Sequence, residues 1–257
     1  MPDHLPLRDL GSTEIRVSTL GLGTVKFGRN SGVKYPESFS LPDMGSLERL
    51  LSLAGKLGIN YLDTAPAYGD SELRLGELLK HNRDHWVIST KVGEFYDGKQ
   101  SRYDFSAKAT VTSVQLSLER LGTEYLDIVF VHSNGDDKAI IESTPVLESL
   151  AQLKQQGLIR AIGYSGKGAG SELAMEIADV FMISFNETDT SQAHLLSICQ
   201  QNNKGVVIKK ALSSGHASDP GSALRFAVDH PSVSSAIVGT INPSHLESNV
   251  AAVMKHS

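Results

Sequence analysis

One cysteine, Cys199, stands among 257 residues, so no internal disulfide can form and the reducing cytosol is the expected setting. Positive charge is scarce as well. The 24 Lys and Arg against 29 Asp and Glu give a formal net charge of -5, which leaves no broad cationic face for nucleic acid. No apolar run approaches membrane-spanning length. Met1-Pro2-Asp3-His4 carries no basic stretch followed by an apolar one, so no signal peptide is expected. No Pro/Ser-rich linker or low-complexity block divides the chain. Nine histidines occur without an H-E-x-x-H pattern, which argues against metal catalysis. The expectation is a cytoplasmic monomer or small homo-oligomer that binds neither nucleic acid nor membrane.

What the chain does have is alternation. Short β-rich runs at 17–23, 60–63, 86–91, 126–132, 159–165, 180–185, 205–209 and 234–238 are each followed by a helical pattern. Leu47, Leu50, Leu51 and Leu57 form one helical stripe that Gly58 stops. Ala107, Val111, Val114, Leu118 and Leu121 form another, ended by Gly122. Thr144-Pro145 reads as a helix start, with a cap followed by a residue that needs no N–H donor. Asn242-Pro243 opens a last helix carrying Leu246, Val250 and Val253. Such alternation demands parallel strands with crossover helices, and eight of them close a barrel. The expected fold is therefore α/β: a single (β/α)8 TIM barrel over residues 1–257. A short N-terminal β-hairpin at 7–16, turning at Leu10-Gly11-Ser12-Thr13, would lie outside the barrel.

Active sites of such barrels sit where strands end and loops begin. The second strand runs into Asp63 and then Tyr68, the third ends in Lys91, and the fourth ends in His132. Alone, each has a structural explanation: a helix cap, a rim aromatic, a solvated ammonium, a packed imidazole. Together they suit carbonyl reduction, because hydride attack on a carbonyl creates an alkoxide that needs a proton and electrostatic support. Tyr68 would supply the proton. Lys91 would lower its pKa, Asp63 would hold Lys91 in place, and His132 would donate a hydrogen bond to the substrate oxygen.

The segments Leu62-Asp63-Thr64-Ala65-Pro66-Ala67-Tyr68-Gly69, Thr90-Lys91 and Val131-His132 resemble the signatures of the aldo-keto reductase family. Leu10-Gly11-Ser12-Thr13 and 18–24 resemble its N-terminal pattern. Residues 162–165 and 238–243, with Asn249, look like its cofactor-binding segments. The resemblance implies a catalytic tetrad of Asp63, Tyr68, Lys91 and His132, and a cofactor, NADP(H) with NAD(H) also admitted. It implies cofactor contacts at Thr24, Ser165, Gly166, Lys209, Lys210, Leu212, Gly239, Thr240, Asn242, His245 and Asn249. The partner would be a small carbonyl or alcohol substrate, reduced or oxidised by an NAD(P)-dependent oxidoreductase. The chain departs from the family's habits in four places. Gly166 stands where Asn is common, Met182 where Gln is common, Lys209 where an aromatic ring is common, and His245 where Arg is common. The stretch from Leu212 to Ala223 is also short for a cofactor-covering loop. These departures keep a second reading alive, a nicotinamide-binding regulatory or interaction subunit with little turnover.

Other patterns carry less. Residues 163–170 are glycine-rich and Glu187 follows at a suggestive distance, but the spacing is not G-x-G-x-x-G. A loop whose N–H groups face an anion remains compatible with the barrel. Gly21-Leu22-Gly23-Thr24 lacks the G-K-[ST] of a phosphate loop. Cys199 shares an apolar stripe with Leu195, Leu196 and Ile198, which reads as a buried, inert thiol. Lys209-Lys210 ends the seventh strand, either as a solvated pair or facing a pyrophosphate.

Overall fold

The computed structural model describes residues 4–166 and 170–254. The chain opens with a hairpin, β1 (Leu7–Asp9) and β2 (Arg16–Ser18), paired antiparallel with Arg8 opposite Val17. Its turn lies against the bottom of the molecule. Gly11 has a φ of +59° and packs on the Asn203–Gly205 backbone, where a Cβ would overlap. Thr19 then separates β2 from the first barrel strand, β3 (Leu20–Gly23), so the expected single run at 17–23 is two strands. The break is held by the Ser18 hydroxyl donating to the Leu20 carbonyl (2.6 Å) and the Ser18 N–H donating to Asn60 Oδ1 (2.7 Å).

The remaining barrel strands are β4 (Tyr61–Asp63), β5 (Val87–Val92), β8 (Leu126–His132), β9 (Ile159–Ser165), β10 (Val180–Ser184), β11 (Gly205–Lys209) and β12 (Ser235–Val238). Between β5 and β8 comes a second hairpin, β6 (Glu94–Tyr96) with β7 (Ser101–Tyr103), which the sequence pattern does not announce. The eight parallel strands close in chain order, the seam being Ala236 opposite Leu20 and Val238 opposite Leu22. This is the (β/α)8 barrel, with the hairpin outside it, that alternation predicts.

Side chains alternate along each strand, so every second residue points into the barrel. Tyr61, Ile128, Phe130, Ala161, Val180, Met182 and Val207 fill the interior, and Leu10, Ile15 and Val17 of the first hairpin plug its lower end. Volume is balanced locally. Gly163 lies under the Phe130 ring, and Gly21 lies under Tyr61 and Ile237. The same alternation carries Asp63, Lys91, His132, Ser165 and Lys209 to the upper rim.

Nine helices occur among the described residues, the first being the single turn α1 (Val25–Gly28). Helix α2 (Met44–Lys56) is capped by Asp43 accepting from the Ser46 N–H. Helices α3 (Ser71–Leu79) and α4 (Ala107–Leu121) follow, and α4 stops at Gly122 in the left-handed conformation. A short helix α5 (Asp137–Ser143) precedes α6 (Val146–Gln155). Thr144 therefore does not cap α6; its hydroxyl donates back to the Ile140 carbonyl (2.6 Å) and ends α5. Val146, Leu147, Leu150 and Leu153 of α6 are buried, each contributing about 1.5–3 kcal/mol. Residues 171–176 form a 3-10 turn, where a helix is expected over 173–178. Helices α7 (Ala193–Gln201), α8 (Pro220–Val228) and α9 (Pro243–Met254) complete the ring. Among the described residues no helix is long and apolar enough to cross a membrane.

Helices α3 and α4 meet most closely at Gly76, where a Cβ would overlap the Arg120 carbonyl oxygen and the Leu121 backbone. Backbone cannot rotate aside as a side chain can. Gly76→Ala should therefore lower the urea midpoint. Overpacking costs about 1–3 kcal/mol, more than the ~1 kcal/mol gained in helix propensity. A raised midpoint would show that the helices separate freely.

Candidate active site

Strand β4 delivers Asp63 to the rim, and β5 delivers Lys91 beside it. Both are almost fully buried, with side chains 6% and 2% exposed. Two charges can stay together out of water only if the pair is close and its other hydrogen-bonding capacity is met. Here it is met. Lys91 Nζ donates to Asp63 Oδ1 (2.7 Å), to Asp63 Oδ2 (2.8 Å) and to the Thr64 carbonyl (2.8 Å). Asp63 Oδ1 also accepts from the Ser89 hydroxyl (2.7 Å), which in turn accepts from Tyr61 (3.0 Å). Ser89 escaped the sequence reading, although standing two residues before Lys91 places it on the same face.

Tyr68 reaches this pair through the turn after β4. Pro66 starts a 3-10 turn, and Gly69 leaves it at a φ of +60°, pressed on the Gly28 carbonyl where no Cβ fits. The Tyr68 ring lies across Lys91, with Nζ 4.9 Å from its centroid. Burial pushes the phenol well above its ordinary pKa, and the Asp63 and Glu94 carboxylates push it further, against a smaller opposing effect of Arg29. The net shift is upward, where the sequence leads one to expect Lys91 to pull this pKa down, and Lys91 is not among the groups that move it. All three N–H donors of Lys91 are directed at Asp63 and Thr64.

His132 ends β8 and points its Nδ1 at Glu94 Oε2, 2.8 Å away. Burial lowers the pKa of the imidazole. Glu94 opposes that shift, while Lys91 and Lys209 add to it. The ring is therefore mainly neutral at pH 7. Glu94 is the second residue that sequence reasoning missed. Its one signal is an acid three positions beyond Lys91, in a segment without strand periodicity.

The other half of the rim holds the expected cofactor contacts. Ser165 is buried, and its hydroxyl accepts from Lys209 Nζ (2.9 Å), which also donates to the Gly166 carbonyl (2.6 Å). Gly166 has a steric cause: a Cβ there would overlap Ser171 and touch Asp137. Met182 sits deeper, in the barrel interior. Lys210 is exposed, and Leu212 is half-buried at the start of a short 3-10 turn. Gly239 faces the Tyr35 hydroxyl. Thr240 and Asn242 fold over the start of α9, Thr240 Oγ1 accepting from the Asn242 N–H (3.0 Å) and Asn242 Oδ1 from the Ser244 N–H (2.9 Å). His245 is exposed on the first turn of α9, and Asn249 is buried. Thr24 does not reach the open rim; it is fully buried, donating to the Asp63 carbonyl (3.0 Å) and paired with Ser71 (2.7 Å). The centre of the glycine-rich stretch, 167–169, lies outside the described residues.

This donor set fits a nicotinamide dinucleotide. Hydroxyl and amide groups at Ser165, Asn242 and Asn249 suit polar rings and sugars. Lys209, Lys210 and the positive end of a 12-residue helix suit a diphosphate.

The sequence profile of the Aldo/keto reductase family matches residues 19–222. L-galactose dehydrogenase of Arabidopsis thaliana is 28% identical, covering 97% of this chain and 88% of that protein. The NADH-specific methylglyoxal reductase of Escherichia coli is 30% identical over 80% of this chain and 67% of its own length. Among solved structures, PA4992 of Pseudomonas aeruginosa superposes with a TM-score of 0.90 at 47% identity, covering 98% of this chain and 96% of that one. The holo form of the aldo-keto reductase AKR11C1 from Bacillus halodurans superposes at 0.82 with 26% identity, covering 97% and 91%.

Removing one member of a buried pair strands the other charge. Lys91→Met should destabilise the fold by about 3–5 kcal/mol. Replacing Lys91 and Asp63 together by apolar residues should cost less than the sum of the single changes. Denaturant unfolding of the two single variants and the double variant tests this; additive losses would mean the pair does not interact.

Proposed function

The chain belongs to the aldo/keto reductase family and is an NAD(P)-dependent oxidoreductase, and we propose that it reduces small aldehydes or ketones with Tyr68 as the proton donor. One observation carries the reading: a phenol kept protonated, lying across a buried, fully bonded Lys91–Asp63 pair at the rim. A chain that only held a dinucleotide would have no need of it.

The bound nicotinamide supplies or accepts the hydride. Ser165 would hold its amide end, Lys209 and Lys210 its diphosphate, and Thr240, Asn242, His245 and Asn249 its adenosine end, with Gly166, Leu212 and Gly239 lining the path and Thr24 bracing Asp63 beneath. The substrate carbonyl oxygen sits against the Tyr68 hydroxyl, with His132 beside the substrate. As charge builds on its oxygen, the Tyr68 hydroxyl gives up its proton there, and the Lys91 ammonium under the ring stabilises the phenolate left behind. The phenolate regains a proton from water after release. Because the phenol of the free enzyme titrates above its ordinary range, Tyr68 ionisation sets no limb in a profile measured between pH 6 and 9.

Tyr68→Phe should cut kcat roughly 10²–10⁴-fold while leaving cofactor affinity within a few-fold. Intrinsic fluorescence from Trp86 gives the affinity, and steady-state assay on a panel of small aldehydes gives kcat. Retention of turnover within a few-fold of wild type would remove Tyr68 from the role.

We assign NADP(H) as the cofactor, with weak discrimination against NAD(H). An exposed His245 stands where an Arg would offer a rigid two-pronged charge. The NADPH preference should therefore be small, and His245→Arg should enlarge it. Dissociation constants for NADPH and NADH in both proteins test this; a large NADPH preference that His245→Arg leaves unchanged would place the phosphate on a different cation, and a preference for NADH in both would exclude NADP(H).

A further inference from the structure

We propose that Glu94 fixes the proton of neutral His132 on Nδ1, so that Nε2 faces the rim as a hydrogen-bond acceptor and selects carbonyl substrates bearing a neighbouring hydroxyl. The proposal deepens the reductase reading, on which its substrate half rests.

The geometry is asymmetric about the ring. Glu94 Oε2 lies 2.8 Å from Nδ1, off the line of an ideal ring N–H, yet far too close for two lone pairs to face each other. A hydrogen must lie between them, and a carboxylate opposite an imidazole places it on the nitrogen. Glu94 is itself anchored. Its Oε1 accepts from the Ser101 hydroxyl (2.5 Å), Tyr103 also bonds to it, and β6 and β7 hold both partners in register. Only 10% of the carboxylate is exposed.

Among the described residues the other ring nitrogen has no partner, and the His132 side chain keeps 16% of its surface open. A neutral imidazole with hydrogen on one nitrogen is an acceptor at the other. Nε2 therefore cannot donate to a substrate oxygen, as the sequence reading expects, until a second proton arrives. That proton is disfavoured by burial and by the Lys91 and Lys209 ammoniums, and favoured only by Glu94; Tyr68, the remaining nearby titratable group, stays neutral. What an acceptor wants is a hydroxyl hydrogen. A 2-hydroxy aldehyde, or the diol formed from it, offers one beside the reacting carbon, whereas a simple alkyl aldehyde leaves Nε2 unpaired on desolvation. Glu94 acts through His132 and is a positioning residue.

Nitrogen NMR of protein labelled with 15N-histidine distinguishes the two neutral tautomers from imidazolium, and the His132 signals are those missing from His132→Asn. In wild type at pH 7.5 the Nδ1–H tautomer should dominate. In Glu94→Gln the His132 titration midpoint should fall by about one pH unit or more, since an opposite charge in contact is lost. In the NADP⁺ complex, where reduction cannot occur, D-glyceraldehyde should shift the Nε2 resonance and propanal should not. A dominant Nε2–H tautomer in wild type would place the proton on the Glu94 carboxyl and overturn the proposal. So would an unchanged midpoint in Glu94→Gln, or equal responses to the two aldehydes. None of these readouts needs turnover, so a protein that reduces no carbonyl would refute the reductase reading while the spectra still decide the Glu94–His132 assignment.

Discussion

Water is excluded from two opposite charges at the top of the barrel, and the rest of the site follows from how that is tolerated. Lys91 and Asp63 are stable there because every N–H of the ammonium has an acceptor, and one carboxylate oxygen has a further donor in Ser89. Such saturation needs strands β4 and β5 adjacent and in register, with Asp63 opposite Ser89. It also needs the chain after β4 to turn the Thr64 carbonyl back over the rim. Barrel closure supplies the first condition. The Pro66–Gly69 turn, pressed on Gly28, supplies the second. Burial, together with the Asp63 and Glu94 carboxylates, keeps Tyr68 a phenol above that pair.

Proton placement around the rim is thus a matter of neighbours rather than residue type. Tyr68 and His132 are both moved toward their neutral forms by burial. Glu94 lies close to both, and its influence on each favours the proton-bearing state. A single carboxylate on a hairpin outside the barrel therefore reaches both groups that would face a substrate. The hairpin is held by its own ladder and by the Ser101 bond.

The departures from the family pattern divide by physical cause. Gly166 is dictated by packing, because Ser171 and Asp137 occupy the volume any side chain would need. Met182 belongs to the barrel interior, where a thioether fills space without requiring a partner. Lys209 brings a charge to a rim position and rests on the Ser165 hydroxyl and the Gly166 carbonyl.

What the sequence determines here is periodic or local. Eight apolar runs alternating with helical stripes call for parallel strands covered on both faces by crossover helices, and eight such units suit a closed barrel. The strand ends and the loops that follow them then nominate Asp63, Tyr68, Lys91 and His132, and the family motif agrees. Local chemistry also decides caps and stops such as Asp43, Ser106 and Gly122. Non-periodic segments stayed hidden: the β6–β7 hairpin is too short to show alternation, and Thr144 could cap forward or bond backward with equal local sense. Above all, the sequence could place an ammonium near a phenol but not say whether that ammonium was free. Only the tertiary structure decided that every N–H of Lys91 has an acceptor, that the Tyr68 pKa moves upward, and that Nδ1 of His132 is taken by Glu94. Each of those outcomes depends on distances between residues far apart in the chain, and electrostatic effects at such a rim change sign with which neighbour comes within a few ångströms.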